Sequence, residues 1–176
     1  MRNASPAAQG DSAPAPSNAP LPTPPRLDAI DRAILRELQA EGRLSNQSLA
    51  ERVHLSPSAC LRRVKALEDS GVIAQYVALL NPRAVGQHGT SFTIVNLENT
   101  QPALRDAFEQ SVRDTPQILD CFYVAGANDY LVRFAYRDAE DLERFHAEVL
   151  ARLPGVLRSN SMLVLRTVKR TTALVV

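Results

Sequence analysis

The 176-residue chain has only two cysteines, almost no net charge and no long apolar run, and each shortage narrows its chemistry. Cys60 and Cys121 lie far apart, on apolar positions of an expected helix and an expected strand. They read as small buried hydrophobes rather than ligands or a disulfide. His54, His88 and His146 are equally scattered. Metal-ligand spacing, a phosphate-cradling Gly-rich loop and a nucleophile elbow are all missing, so no metal, no cofactor and no catalytic residue is expected. No stretch of about 18 apolar residues exists to span a membrane. The chain also lacks the basic start and continuous apolar run of a signal peptide, which points to a cytoplasmic protein.

What is present, 45% hydrophobic and 22% charged residues, fits one or two soluble globular domains without collagen-like, coiled-coil or disulfide-rich character. Residues 1–25 hold Pro6, Pro14, Pro16, Pro20, Pro22, Pro24 and Pro25 among Ala, Ser and Asn, with almost no large apolar side chain to bury. This composition predicts a disordered Pro-rich tail.

Residues 53–71, VHLSPSACLRRVKALEDSG, predict a helix built to present a basic face. Ser56 can cap the unpaired N–H groups, Pro57 at the first helical position forfeits no hydrogen bond, and Gly71 is a stop signal. At 100° per residue Cys60, Val64 and Leu67 fall within about 60° of one another, while Ser58, Arg62 and Lys65 form a stripe on the opposite side. Alone, such a stripe is as consistent with a solvated charged face as with an anionic partner.

The preceding segments decide between these. Residues 28–41, with Leu27 just before them, place Leu27, Ile30, Ile34, Leu35 and Leu38 at helical spacing. After Gly42, residues 45–53 predict a short helix, and His54, Leu55 and Ser56 form a tight turn into the basic helix. One long helix, one short helix, a turn and a capped helix make a helix-turn-helix, whose second member enters the DNA major groove with its N-terminal residues at base edges. The candidate DNA contacts are Ser56, Ser58, Ala59, Arg62, Arg63 and Lys65, with Ser45 and Asn46 at the start of the short helix.

A net charge of +1 conceals a local asymmetry. Residues 26–80 carry 8 Lys+Arg against 7 Asp+Glu, and residues 81–176 carry 11 of each. Arg52, Arg62, Arg63 and Lys65, however, lie between Glu51 and Glu68 with no acid among them. Such a patch suits site-specific contact by a multimer better than non-specific coating of DNA.

Beyond Gly71, residues 72–80 look extended, a wing and linker closed by the turn at Asn81-Pro82. Strand-like and helical patterns then alternate: strand 91–97, helix 103–112, strand 117–125, a turn at Gly126-Ala127-Asn128, strand 129–136, helix 138–153, and a last strand from about Ser159 to Lys169. The order β-α-β-β-α-β predicts a ferredoxin-like sandwich with both helices on one face of a four-stranded antiparallel sheet. The second strand is apolar at both parities, so the other sheet face needs cover, and a second copy of the sheet is the economical answer. A two-fold dimer would also duplicate the DNA-reading helix. The expected division is therefore a tail over 1–25, a helix-turn-helix domain over 26–75, a linker or wing over 76–89, and a ferredoxin-like domain over 90–176; the fold class is α+β.

The motifs LDAIDRAIL (27–35), LSPSACLRRV (55–64), GVI (71–73), NP (81–82), GANDYL (126–131), LPGV (153–156) and the terminal VK (168–169) occur in one order along the chain. Through them residues 27–174 resemble a transcriptional regulator of the Lrp/AsnC (leucine-responsive, feast/famine) family. The resemblance implies a sequence-specific regulator of amino-acid metabolism or transport genes. Its C-terminal domain would bind a free amino acid as effector, and its dimers would assemble into tetramers or octamers. Family members often carry an acidic residue after the motif glycine, where this chain has Ala127.

An amino acid's ammonium group needs a carboxylate or carbonyls, and its carboxylate needs N–H or hydroxyl donors. Gly126, Asp129, Tyr130, Ser159 and Ser161 are the candidates, with the two serines at one parity of the last strand. A tight turn in which Asp129 is only a local acceptor is the plain reading of the same residues. Two rival functions remain open at this point: an effector-independent architectural DNA-binding protein, and a small enzyme on a fold that also hosts catalysis.

Overall fold

The structure, a computed structural model, describes residues 26–176; the expected disordered tail, residues 1–25, lies outside them. The chain resolves into two compact units, one spanning Leu80–Thr167 and the other running to Leu79 and including Val168–Val176. The last residues, expected within the ferredoxin-like domain, thus pack with the helix-turn-helix.

In the helical unit, α1 spans Ala29–Ala40, α2 Asn46–Arg52 and α3 Pro57–Asp69. Each start is capped. Asp28 accepts from the N–H groups of Ile30 and Asp31, with the Asp31 carboxylate returning to the Asp28 N–H. Ser45 caps α2 through the Ser48 N–H, and Ser56 caps α3 through the Ala59 N–H. These caps satisfy donors that a helix leaves open at its first turn. Ile34, Leu35, Leu49, Ala50, Cys60 and Leu67 form the buried core. Gly71, at φ 73°, ends α3 with its N–H on the Glu68 carbonyl, and the Ile73 N–H reaches the Leu67 carbonyl. This left-handed position favours glycine. Residues 74–80, within the segment expected to be extended, carry no regular secondary structure and have no strand partner among the described residues. The unit is closed by its C-terminal segment: Gln39 on α1 exchanges two hydrogen bonds with the Leu174 backbone (2.6 and 3.1 Å), and Val176 packs against the core.

In the other unit, β1 (Gly89–Leu97), β2 (Ile118–Tyr123), β3 (Tyr130–Tyr136) and β4 (Val156–Leu163) form an antiparallel sheet of order β2-β3-β1-β4, with α4 (Pro102–Arg113) between β1 and β2 in the chain and α5 (Ala139–Arg144) between β3 and β4. That is the expected ferredoxin-like order. Two boundaries differ. The last strand begins at Val156 and ends at Leu163, because residues 156–163 are the ones that find partners on β1. The expected helix over 138–153 is regular only to Arg144; it continues as a π turn over Phe145–Val149 and a 3₁₀ turn over Leu150–Arg152.

Alternation along β1 and β3 sends Thr93, Val95, Leu97, Tyr130, Val132 and Phe134 toward the helices. Phe92, Ile94, Leu131 and Arg133 face the other way, paired across strands with Phe122, Asp120 and Met162. On β2, Cys121 and Tyr123 share the helix side with Val132 and Tyr130. The strand is apolar at both parities partly because Leu119 falls in a register shift between Ile118 and Asp120.

Candidate nucleic-acid interface and ligand turn

The turn between α2 and α3 is built from backbone geometry. His54 adopts φ 55°, and the Leu55 N–H closes back on the Ala50 carbonyl at 2.9 Å. A non-glycine residue there carries some strain, which His, like Asn and Asp, tolerates better than most. Asn46 clamps the two helices, its side-chain amide donating to the Pro57 carbonyl at 2.9 Å.

This geometry sorts the candidate DNA contacts. Ser45 and Ser56 are spent on capping, Asn46 on the clamp, and Ala59 is half-buried. Arg63 turns to α1, where its guanidinium meets Asp28 at 2.7 Å and Asp31 at 2.8 Å. The Asp31 N–H first, and then Arg63, hold the Asp28 carboxyl below the usual carboxylate range, and the same two acids push the Arg63 guanidinium up. Arg52 is likewise tied to Glu37 at 3.1 Å and Glu41 at 3.0 Å. Of the four cations in the local basic run, two are therefore structural. Ser58, Arg62 and Lys65 stand exposed on one stripe, and neither cation has a carboxylate within 4.0 Å among the described residues. Leu61, 57% exposed, shares that stripe and was not among the expected contacts.

The turn after β2 places the second set of candidates. The Val124 N–H donates to the Asp129 carbonyl at 2.9 Å, closing the loop, and the Asp129 carboxylate accepts the Leu97 N–H at 2.8 Å. Gly126 has φ 133°, and an added Cβ would meet nothing within 4 Å. Its requirement is therefore conformational, with open space beside it.

Asn96 had carried no signal in the sequence. Its side chain donates to the Ala127 carbonyl at 3.2 Å and accepts from the Arg158 Nε at 3.3 Å, so a cation is held near the turn. A polar residue on a strand without a surrounding motif offers nothing to find it by.

Tyr130 and Ser161 go elsewhere. The Tyr130 ring is 1% exposed against Phe108 and Tyr123, and its hydroxyl donates to Glu109 at 2.8 Å. Burial first, then Glu109, pushes that phenol well above its ordinary range. Ser161 faces the helices and shares hydrogen bonds with Thr93 (2.7 Å) and His146 (2.8 Å). Ser159 lies opposite Val95, across β1 from Tyr130. Within this chain only Gly126 and Asp129 lie together at the turn.

Comparison with known proteins finds a family model for each of two parts of the chain. Residues 27–74 match the winged helix-turn-helix DNA-binding family model, and residues 90–174 match the Lrp/AsnC ligand binding domain. The leucine-responsive regulatory proteins of Klebsiella pneumoniae and Escherichia coli K12 are each 39% identical over 150 residues, covering 85% of this chain and 92% of theirs. A Neisseria meningitidis transcriptional regulator, solved as a complex with L-Met, superposes with a TM-score of 0.81 at 42% identity, covering 85% of this chain and 96% of that one. An AsnC family regulator from Agrobacterium tumefaciens superposes at 0.80 with 30% identity, covering 84% and 96%. With a winged helix-turn-helix, a four-stranded ligand-binding domain and relatives of this likeness, the chain belongs to the Lrp/AsnC family of DNA-binding transcriptional regulators.

Proposed function

We propose that this chain is a cytoplasmic, site-specific regulator of genes for amino-acid metabolism or transport, binding operator DNA through α3 and responding to a free amino acid. The observation that carries the DNA half is the exposed stripe of Ser58, Arg62 and Lys65 on a helix whose other cation, Arg63, is held by α1. Arg62 is long enough to reach a guanine edge, and Lys65, a turn later, suits phosphate. The amino-acid half is supported by the matched ligand-binding domain and by the turn of residues 126–129. There the Asp129 carboxylate could meet an ammonium group, and Arg158, carried by Asn96, a carboxylate. No catalytic step is assigned to any residue.

The assembly is proposed as a homodimer, with tetramers or octamers built from it. The sheet face away from the helices holds Phe92, Ile94, Phe122, Leu131 and Met162, with Phe122 and Met162 still 52% and 45% exposed. The ion pair of Asp120 with Arg133 lies among them. An apolar face of this kind favours a second copy over water. Leu131→Arg should convert the full-length protein to a monomer in sedimentation; an unchanged particle would move the interface elsewhere.

A thermal-shift screen of the proteinogenic amino acids tests the effector. A ligand at 100 times its dissociation constant adds ~2.7 kcal/mol of stability. Calorimetry with the selected amino acid should then show weaker binding to Asp129→Asn, which keeps an acceptor for the Leu97 N–H while losing the charge. A screen in which none stabilises the protein or alters operator affinity would favour the effector-independent architectural reading. Equal affinity for wild type and Asp129→Asn would remove Asp129 from the site.

A further inference from the structure

We propose that Leu61 is a specificity-determining residue that reads the C5-methyl group of thymine in the operator, an inference that rests on α3 being the DNA-reading helix. Among the described residues of the three helices, every other large apolar side chain is buried or half-buried, whereas Leu61 is 57% exposed. A single aliphatic residue at a protein surface is ordinary. The position of this one is not neutral. At 100° per residue Ser58, Leu61, Arg62 and Lys65 fall within an arc of about 100°, so a surface that meets Arg62 and Lys65 also meets Leu61. Two cations on that arc, with no carboxylate within 4.0 Å among the described residues, suit a polyanion, and the apolar feature that a major groove offers is the thymine methyl, which cytosine lacks.

The direction of the side chain agrees. Helical side chains lean toward the helix N-terminus, so Leu61 covers the turn that begins at Ser58, the end of α3 that enters the groove in this motif. Ser58 is a hydroxyl that can serve any base, and Arg62 prefers guanine. With Leu61 at its edge the stripe has a polar, an apolar and a cationic reader within two turns, which would discriminate thymine from cytosine where the arginine alone would not. The contact needs no rearrangement of the protein, since Leu61 makes no part of the packed core.

The test uses the full-length protein and a genomic fragment that it selects. Each thymine of the fragment is replaced singly by deoxyuridine, which removes only the C5-methyl, and binding is measured at one fixed salt concentration by fluorescence anisotropy for wild type and Leu61→Ala. At one or two positions per half-site, wild type should lose about fourfold in affinity, the worth of one buried methyl group. Leu61→Ala should bind the unmodified fragment more weakly and be indifferent to the same replacements. Ala is the best helix former, so its melting temperature should hold. Replacements that weaken both proteins equally, or weaken wild type nowhere, would overturn the assignment of Leu61 while leaving Arg62→Ala to report on the helix. Failure of Arg62→Ala to weaken binding as well would overturn the DNA-reading role of α3 and this proposal with it.

Discussion

Among the described residues, the core of the three-helix unit contains no aromatic ring: Ile34, Leu35, Leu49, Ala50, Cys60 and Leu67 fill it, with aliphatic residues packed around them. The sheet unit centres on rings, Phe108, Tyr130, Phe134 and Phe145, with Phe134 stacked on Phe145 at 3.8 Å between centroids. The small core is supplemented from outside by caps and by Arg52 and Arg63 bound to acids of α1. The larger core instead absorbs polar groups, with Thr93 fully buried and hydrogen-bonded to Ser161. The lesson is that identical residue types carry different duties in the two units. In the first, charge is divided between holding the fold and an exposed stripe on α3; in the second, the Tyr130 and Ser161 hydroxyls expected at a ligand are bonded within the unit.

The largest break in this contrast should come from Phe134→Ala. Removing a ring that is 0% exposed should cost the sheet unit about 3–5 kcal/mol in denaturant unfolding, while the helical unit keeps its own midpoint. A shift of both midpoints together would show that the two units unfold as one.

Asp129→Ala should cost about 1–3 kcal/mol, because the Leu97 N–H loses its acceptor in a half-buried position; Asp129→Asn should cost less. Equal loss in both variants would mean that the carboxylate charge, rather than the hydrogen bond, holds the turn.

A smaller effect separates the units by pH. Asp28 has a folded pKa lowered by the Asp31 N–H and then by Arg63, so its contribution is complete above the unfolded carboxyl value of about 4 and is lost as pH falls through the folded value. Melting of the helical unit should therefore be flat above pH of about 5 and decline below about 4. In Arg63→Ala that decline should be shallower, since one of the two main causes is gone, though the Asp31 N–H remains. An identical slope would take Arg63 out of the account.

Much of this was legible in the sequence where local chemistry decides. Ser56-Pro57 and Gly71 marked the ends of α3 because capping and left-handed termination are set by the residues themselves. The order of strands and helices along the chain followed from the alternation of patterns. Parity also put Ser159 and Ser161 on one face of β4, but parity does not say which face, and that face is the interior for Ser161. Adjacent arginines at 62 and 63 look alike in one dimension. Only the packing of α1 against α3 distinguishes them, since it brings Asp28 and Asp31 to one and leaves the other open. The π turn after Arg144 had no warning, because residues 138–153 keep helical spacing throughout.

The division of charge on α3 is tested most directly by measuring operator affinity and thermal stability together for Arg62→Ala and Arg63→Ala at one fixed salt concentration. Arg62→Ala should weaken operator binding by about 1–3 kcal/mol with an unchanged melting temperature if it reads a guanine edge. Arg63→Ala should lower the melting temperature of the helical unit and, where that unit is still folded, keep most of its operator affinity. The opposite pattern, affinity lost with Arg63→Ala at full stability and retained with Arg62→Ala, would contradict the account.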